Sequence, residues 1–379
     1  MIGAALVAAA IACGITILIV ISQRWHGRFS MDHDLSGVQK FHDRPVPRVG
    51  GVALFFSILF ALAICQSFTN HLPQKFDVHL ASLLLYASLP VFVAGLIEDT
   101  TKKVAVPFRL AAAFASALLA SWLLNATVNH LDIWGVDRLL EYAPVAIVVT
   151  AVVVAGGTNA MNIIDGFNGL AGTATLVILA GFGILAWQAD DVFVTQLVLL
   201  GMGATIGFLI INYPTGGVFL GDGGAYFLGF WISEIAVLLM VRNPTINAWQ
   251  VLGVCAYPVI EVLFSMYRRK IIRKASPGAP DSLHLHTLVY RRVICHNLTH
   301  SNSWPWVRNA MVVWFVGAMI AVMVGAAILL GQSLQGAVLV VVMEVLVYVA
   351  VYARLVRGRW GGVSKVVLKL VPGARAGVK

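Results

Sequence analysis

The sequence predicts an all-α, polytopic membrane protein with about eleven transmembrane helices, its N-terminus outside and its C-terminus in the cytoplasm. Three observations predict this. Of 379 residues, 59% are hydrophobic and only 11% charged, with a mean hydropathy of +0.87. The apolar residues fall in long runs. The basic residues lie almost entirely on one side of the alternation those runs create. Roughly 20 apolar residues cross a hydrocarbon core, and each backbone polar group there must be paired within its own span, so repeated helices satisfy this composition and a soluble core does not.

In chain order the apolar runs are 2–22, 50–66, 80–97, 108–125, 142–156, 170–187, 193–211, 224–240, 247–265, 309–331 and 334–353. The first contains Ala10-Ile11-Ala12-Cys13, but no basic segment precedes it and the run continues to Ile21, so an uncleaved first helix is expected rather than a leader. The four cysteines lack CxxC spacing and read as small hydrophobes with no disulfide or metal role. With the N-terminus outside, the cytoplasmic segments are 23–49, 98–109, 157–169, 212–223, 266–308 and the tail. They carry 23 of the 26 Lys and Arg, leaving only Lys75, Arg138 and Arg242 outside. The net charge of +9 then reflects topology and attraction to anionic membrane lipids. No aromatic and basic alternation of a nucleic-acid groove is present. Residues 1–353 read as one multi-pass domain and 354–379 as a basic cytoplasmic tail.

Five polar features fall on the cytoplasmic side. The segment Lys40-Phe41-His42-Asp43-Arg44-Pro45-Val46-Pro47-Arg48 enters the second span through Gly50 and Gly51; Lys40, His42, Arg44 and Arg48 suit a lipid phosphate, or serve simply as a positive-inside loop. Glu98 and Asp99 are adjacent acids beside Lys102 and Lys103. Such acids need a cation, a proton or a basic partner to coexist. Asn159, Asn162 and Asp165 recur every three residues before Gly166 and Gly169, roughly one helical face at membrane depth, where polar groups are costly and usually functional. Asn and Asp oxygens are hard ligands suited to Mg²⁺. Asp222 sits in a glycine-rich turn that begins near Asn212 and lacks the Gly-Lys-Ser/Thr of a Walker loop. His284 and His286, followed by Arg291 and Arg292, suit a pyrophosphate better than zinc, for which no matching ligand pair lies nearby. Glu234, Glu261 and Glu344 fall within spans away from these motifs and are left outside the expected site; Glu261 is placed to snorkel toward Arg268.

Taken in order from Lys40 to Arg292, the five motifs resemble the polyprenyl-phosphate N-acetylhexosamine-1-phosphate transferases, the WecA- and TagO-like group, with MraY more distant. The resemblance implies a bacterial inner-membrane enzyme with its active site facing the cytoplasm. It would transfer N-acetylhexosamine 1-phosphate, most often GlcNAc 1-phosphate, from a UDP-sugar to undecaprenyl phosphate, giving undecaprenyl-diphosphate-sugar and UMP for a cell-surface glycan. It implies Mg²⁺, with Mn²⁺ as a substitute, held by Asp222 and Asn162. Glu98, Asp99 and Asp165 are the expected catalytic acids, and Lys40, His42, Arg44 and Lys102 the phosphate-binding set. Asn159, Asn212, His284, His286 and Arg291 are the expected nucleotide-sugar contacts. The chain departs from many relatives in its Glu-Asp pair, in His-Leu-His-Thr without a third consecutive histidine, and in Asn168 where an Asp is common. Two alternatives compete: a phospho-MurNAc-pentapeptide transferase, and a secondary transporter, against which the lack of an internal repeat and the one-sided polar loops both argue.

Overall fold

The computed structural model describes residues 2–32, 45–67, 77–272, 274, 281–295 and 305–358. The chain is helical almost throughout. Helix α1 (Ile2–Ile21) is followed by the short α2 (Gln23–Ser30) and a two-residue strand β1 (Met31–Asp32). That strand pairs antiparallel with β2 (Val46–Pro47), Met31 opposite Pro47. Then come α3 (Gly50–Ser67), α4 (Val78–Ala87), α5 (Leu89–Thr101), α6 (Val106–Leu124), α7 (Val136–Leu140), α8 (Ala143–Ile164), α9 (Leu170–Gln188), α10 (Val192–Asn212) and α11 (Gly221–Arg242). The rest are α12 (Ala248–Val254), α13 (Ala256–Tyr267), α14 (Leu285–Val289), α15 (Pro305–Leu330) and α16 (Leu334–Val356), with π-helical turns at Arg268–Ile272 and Tyr290–Ile294.

Among the described residues, nine helices are long and apolar enough to cross a membrane, and eleven spans result when each of two bent helix pairs is counted as one. The protein is thus a polytopic all-α membrane protein, as the hydropathy predicts. The bends are not visible in the hydropathy. Helices α4 and α5 meet at 44°, and the expected straight span 247–265 is instead broken, α12 and the helix through Ile272 meeting at 83°. Pro90 and Pro258 each sit in the first turn of the second helix of a pair. Proline lacks the N–H that would continue the preceding helix but is tolerated in a first turn.

A second difference bears on the site. The expected loop 157–169 is mostly helix, because α8 runs to Ile164, past the end of its apolar run at 156. Asn159 and Asn162 are therefore helix residues, and Asp165 is the residue that ends the helix.

Helix α11 is the buried axis, 94% of its spanning window lying inside the protein, and it packs against α3, α5, α8 and α9. Helix α1 lies on the rim against α10 and α3. The packing is close where glycines face each other. A Cβ at Gly95 of α5 would lie 2.6 Å from the Gly223 backbone, and one at Gly51 of α3 would clash with Gly224. Those contacts bring the first turn of α11 against the end of α5 and the start of α3.

Candidate functional site

The starts of α3, α6 and α11 and the ends of α5 and α8 converge at one end of the bundle. At their centre is Asp222, the second residue of α11. A helix N-terminus leaves backbone N–H groups unpaired and carries partial positive charge. Here the carboxylate of Asp99, 2% exposed on the last turn of α5, meets that need: its Oδ1 accepts from the Asp222 N–H at 2.7 Å and its Oδ2 from the Gly223 N–H at 2.8 Å. Gly221 has φ +75°, and a Cβ there would press on Asp99 Oδ2 at 2.5 Å, so glycine permits the approach.

Two arginines close on the acids. Arg48, the residue after β2, donates from Nη2 to Asp222 Oδ1 at 2.6 Å and lies 3.3 Å through Nε from Asp99 Oδ1. Arg109, in the first turn of α6, donates from Nη1 to Asp222 Oδ2. Asn162 Nδ2 reaches Asp222 Oδ1 at 3.2 Å. The half-buried Asp165 carboxyl is pushed up to about 7 by burial and by the charge of Asp222, with Arg48 opposing. The cluster therefore contains three aspartates, two arginines and an asparagine drawn from five segments of the chain.

The expected acidic pair separates. Asp99 turns into the cluster, whereas Glu98 accepts the Val104 N–H through Oε2 at 2.7 Å and braces the following turn. Lys102, in the left-handed conformation that ends α5, pairs through Nζ with Asp32 Oδ1 at 3.0 Å and so ties β1 to α5. Asn159 lies one turn before Asn162, half-buried. Asn212 is committed at both ends of its amide: Oδ1 accepts the Gly169 N–H at 2.7 Å and Nδ2 donates to Val218 O at 2.6 Å. It holds the Asn159–Gly169 motif against the glycine-rich turn. Asn168 is likewise engaged, its backbone N–H with Asn309 Oδ1 at 2.7 Å and its Nδ2 with Pro214 O at 3.1 Å. Lys40, His42 and Arg44 lie outside the described residues.

His284 and His286 bracket the start of α14, their rings 5.3 Å apart and nearly parallel. His286 faces the third motif. A Cβ on Gly166 would meet its Nε2 at 3.2 Å, and Phe167 stands edge-on to its ring. Burial holds the His286 imidazole down at about 4 and so neutral. Arg291 is exposed on the next helical turn. Glu261 does not snorkel to Arg268; it is 1% exposed and engaged with His284, while Arg268 pairs with Asp281. Glu234 and Glu344 are buried elsewhere, and neither has a hydrogen-bond partner among the described residues.

The sequence reading left Arg109 and Glu261 outside the site. Arg109 counted there only as one of the inward positive charges, and its distance from Asp222, 113 residues in sequence, leaves no local spacing to find.

Among the described residues no three His, Cys, Asp or Glu side chains group closely enough to hold a metal ion by themselves. Magnesium is commonly held by one or two carboxylates, completing its shell with substrate phosphate and water. The carboxylate of Asp222, with the side-chain amide of Asn162 beside it, fits that smaller requirement.

Residues 81–240, which carry Asp99, Arg109, Asn162, Asp165 and Asp222, match the family described as Glycosyl transferase family 4. The match takes in less than half of the chain. Relatives of the whole chain agree. A protein of Bacillus subtilis named as a probable undecaprenyl-phosphate N-acetylglucosaminyl 1-phosphate transferase is 26% identical over 290 residues, 75% of this chain and 74% of its own length. Proteins of Yersinia pestis and Thermotoga maritima named undecaprenyl-phosphate alpha-N-acetylglucosaminyl 1-phosphate transferase are each 29% identical. The first match covers 68% of this chain and 69% of the relative, the second 67% and 72%. The family 4 match stops within α11, so Arg48 and the histidine pair reach the site from flanking parts of the chain.

Proposed function

We propose that this chain is a phosphotransferase that moves N-acetylhexosamine 1-phosphate, preferentially GlcNAc 1-phosphate, from a UDP-sugar to undecaprenyl phosphate on the cytoplasmic face of a bacterial inner membrane. The observation that carries the reading is Asp222 at the head of α11, held through backbone amides by Asp99 and flanked by Arg48 and Arg109. This concentrates both signs of charge at one end of a membrane bundle, as a reaction between two phosphates requires.

In the exchange, an oxygen of the lipid phosphate forms a bond to the β-phosphorus of the donor while the bond from that phosphorus to the bridging oxygen breaks. UMP leaves with that oxygen. The acceptor is a phosphate monoester with second pKa about 6, so it arrives largely ionised and needs no strong base. What it needs is help against repulsion between the two phosphates, and phosphoryl transfer depends mainly on such positioning and charge stabilisation. Arg48 and Arg109, engaged with Asp222, can turn their remaining donors to phosphate oxygens. Asp222 and Asn162 would hold Mg²⁺, which when bound offsets charge on the donor's phosphates. Asp165, Gly166 and His286 line the adjoining face, suited to the donor. Direct attack by the lipid phosphate is the favoured course; isolation of a phosphorylated protein formed from donor alone would overturn it.

The deciding experiment follows UMP release by the purified protein with undecaprenyl phosphate, Mg²⁺ and a panel of UDP-N-acetylhexosamines that includes UDP-MurNAc-pentapeptide. Turnover is expected with UDP-GlcNAc. Asp222→Asn should reduce it by roughly 10²–10³-fold, the scale of removing one electrostatic group from a preorganised site, with helix content unchanged. Activity near wild type in that variant would remove Asp222 from the site, and turnover confined to the pentapeptide donor would move the chain to the other branch of the reaction.

A further inference from the structure

The histidine pair is held from behind by a buried network that lies outside the family 4 match. Glu261, on α13, accepts from His284 Nδ1 at 2.9 Å, from the Leu285 backbone N–H at 3.2 Å and from Tyr348 Oη of α16 at 3.0 Å. It is 1% exposed, so these contacts take the place of water around the carboxylate. A carboxylate only accepts hydrogen bonds, so the His284 proton sits on Nδ1 and the ring's orientation is set. Nε2 of the same ring lies 3.9 Å from Asp281.

Asp281 is itself gripped by Arg268, which also donates to Leu283 O at 2.5 Å and to the Tyr352 hydroxyl. The chain entering α14 is thereby fixed on both sides of His284. His286 stacks on that ring, and Tyr257 Oη lies 3.4 Å from its Nδ1. With Tyr257 donating there, the proton of the neutral His286 ring is on Nε2, the atom that faces Gly166 beside Asp165.

We propose that Glu261 is a positioning residue for the transfer: through His284 it aims His286 Nε2–H at the Asp165–Gly166 turn, where the phosphates of the UDP-sugar lie. This rests on the functional reading above. Glu261 touches no substrate, and its effect reaches the donor through two stacked rings. The long sequence separations, 23 residues to His284 and 87 to Tyr348, show what the broken α12–α13 span and the last helix contribute to the site.

The test is steady-state kinetics on Glu261→Gln, His284→Ala, His284→Asn and the Glu261→Gln/His284→Ala double variant, with each substrate varied in turn. Glu261→Gln keeps the volume of the side chain and, with its oxygen toward Tyr348, sets an amide N–H donor where Glu261 Oε1 accepts from His284 Nδ1. It should lower kcat/KM for the UDP-sugar roughly 10- to 100-fold, the scale of a displaced positioning group, while the KM for polyprenyl phosphate stays at the wild-type value. His284→Asn, which keeps an amide donor near the Nδ1 position, should recover most of the loss seen in His284→Ala. The double variant should be no worse than His284→Ala alone, because both substitutions break one connection.

Wild-type kinetics in folded Glu261→Gln would overturn the proposal, as would equal losses toward both substrates accompanied by a lowered melting temperature. If Glu261→Gln does not fold, Tyr348→Phe and the two His284 variants carry the same comparison: failure of His284→Asn to exceed His284→Ala overturns it. Absence of wild-type turnover with every UDP-N-acetylhexosamine would instead overturn the functional reading, and this inference with it.

Discussion

Asn212 and His286 show two ways in which a polar side chain serves this site. Asn212, 4% exposed, pairs one backbone N–H and one backbone C=O that have no other hydrogen bond among the described residues. Asn212→Ala leaves both buried groups unpaired, at roughly 1–3 kcal/mol each. The variant should therefore melt at a lower temperature in detergent while retaining donor affinity; a selective rise in donor KM with unchanged melting would instead make Asn212 a nucleotide contact. His286 is buried in the neutral form, its pKa lowered from 6.5 to about 4. The unfolded chain then takes up the proton before the folded one does. The stability from His286 is complete above about pH 6.5 and is lost as pH falls toward about 4. Melting temperatures measured at about pH 7.5 and about pH 5 should fall more for the wild type than for His286→Gln, and equal slopes would refute the assignment. The sequence marked both residues as polar and placed them at the same end of the bundle as the acidic motifs. Their partners were beyond its reach, because Val218 and Gly169 offer only backbone atoms and Tyr257 looks like any apolar-run tyrosine.

At the scale of elements, hydropathy alone located every span to within a few residues, except where polar residues continued a helix. The apolar run in α8 stops near Ala155, yet the helix goes on through Asn159 and Asn162, because Asn162 faces Asp222 rather than lipid and Asn159, one turn before it, is half-buried. The Glu98–Asp99 motif was legible as acidic but not as divided, since adjacent residues on a helix point in different directions. Helix contacts were equally hidden, because glycine carries no hydropathy signal strong enough to mark a contact. Gly95→Val tests one of them. Its side chain would enter the Gly223 backbone, cost about 1–3 kcal/mol as an overpacked contact, and move Asp222 away from Asp99. Activity should fall far more than stability. Gly156→Ala on α8, where a Cβ meets nothing within 4 Å, should match the wild type in both measurements, and a comparable loss there would dissociate the effect from this contact.

For the whole molecule, the fold brings Arg48, Asp99, Arg109, Asp222 and the histidine pair to one end, and the basic-residue bias predicts that this end faces the cytoplasm. In a variant free of the four native cysteines, Ser364→Cys in the tail should react with a membrane-impermeant maleimide only in inside-out vesicles. Trp134→Cys, at a position 98% exposed between α6 and α7, should react only in right-side-out ones. The reverse pattern would invert the topology and move the donor site to the wrong compartment for a UDP-sugar. The far end of the molecule has its own anchor. Asp191, the cap of α10, accepts from Arg242 Nε at 2.7 Å and Nη2 at 3.1 Å and from Asn243 Nδ2 at 3.0 Å, where α11 ends.

Helix α11 is thus clamped at both tips, by Asp99 at Gly223 and by Asp191 at Arg242, with 22 residues between its ends or about 33 Å of rise. A rod fixed in this way cannot slide or tilt independently to suit its surroundings. It sets a fixed depth for Asp222 relative to the opposite leaflet, and a bilayer of unmatched thickness must deform around it. The polyprenyl acceptor brings its phosphate to the headgroup plane of whatever membrane it occupies. Acyl-chain length should therefore govern how well the two reactants meet, making the lipid composition of the host membrane a determinant of catalytic rate in its own right.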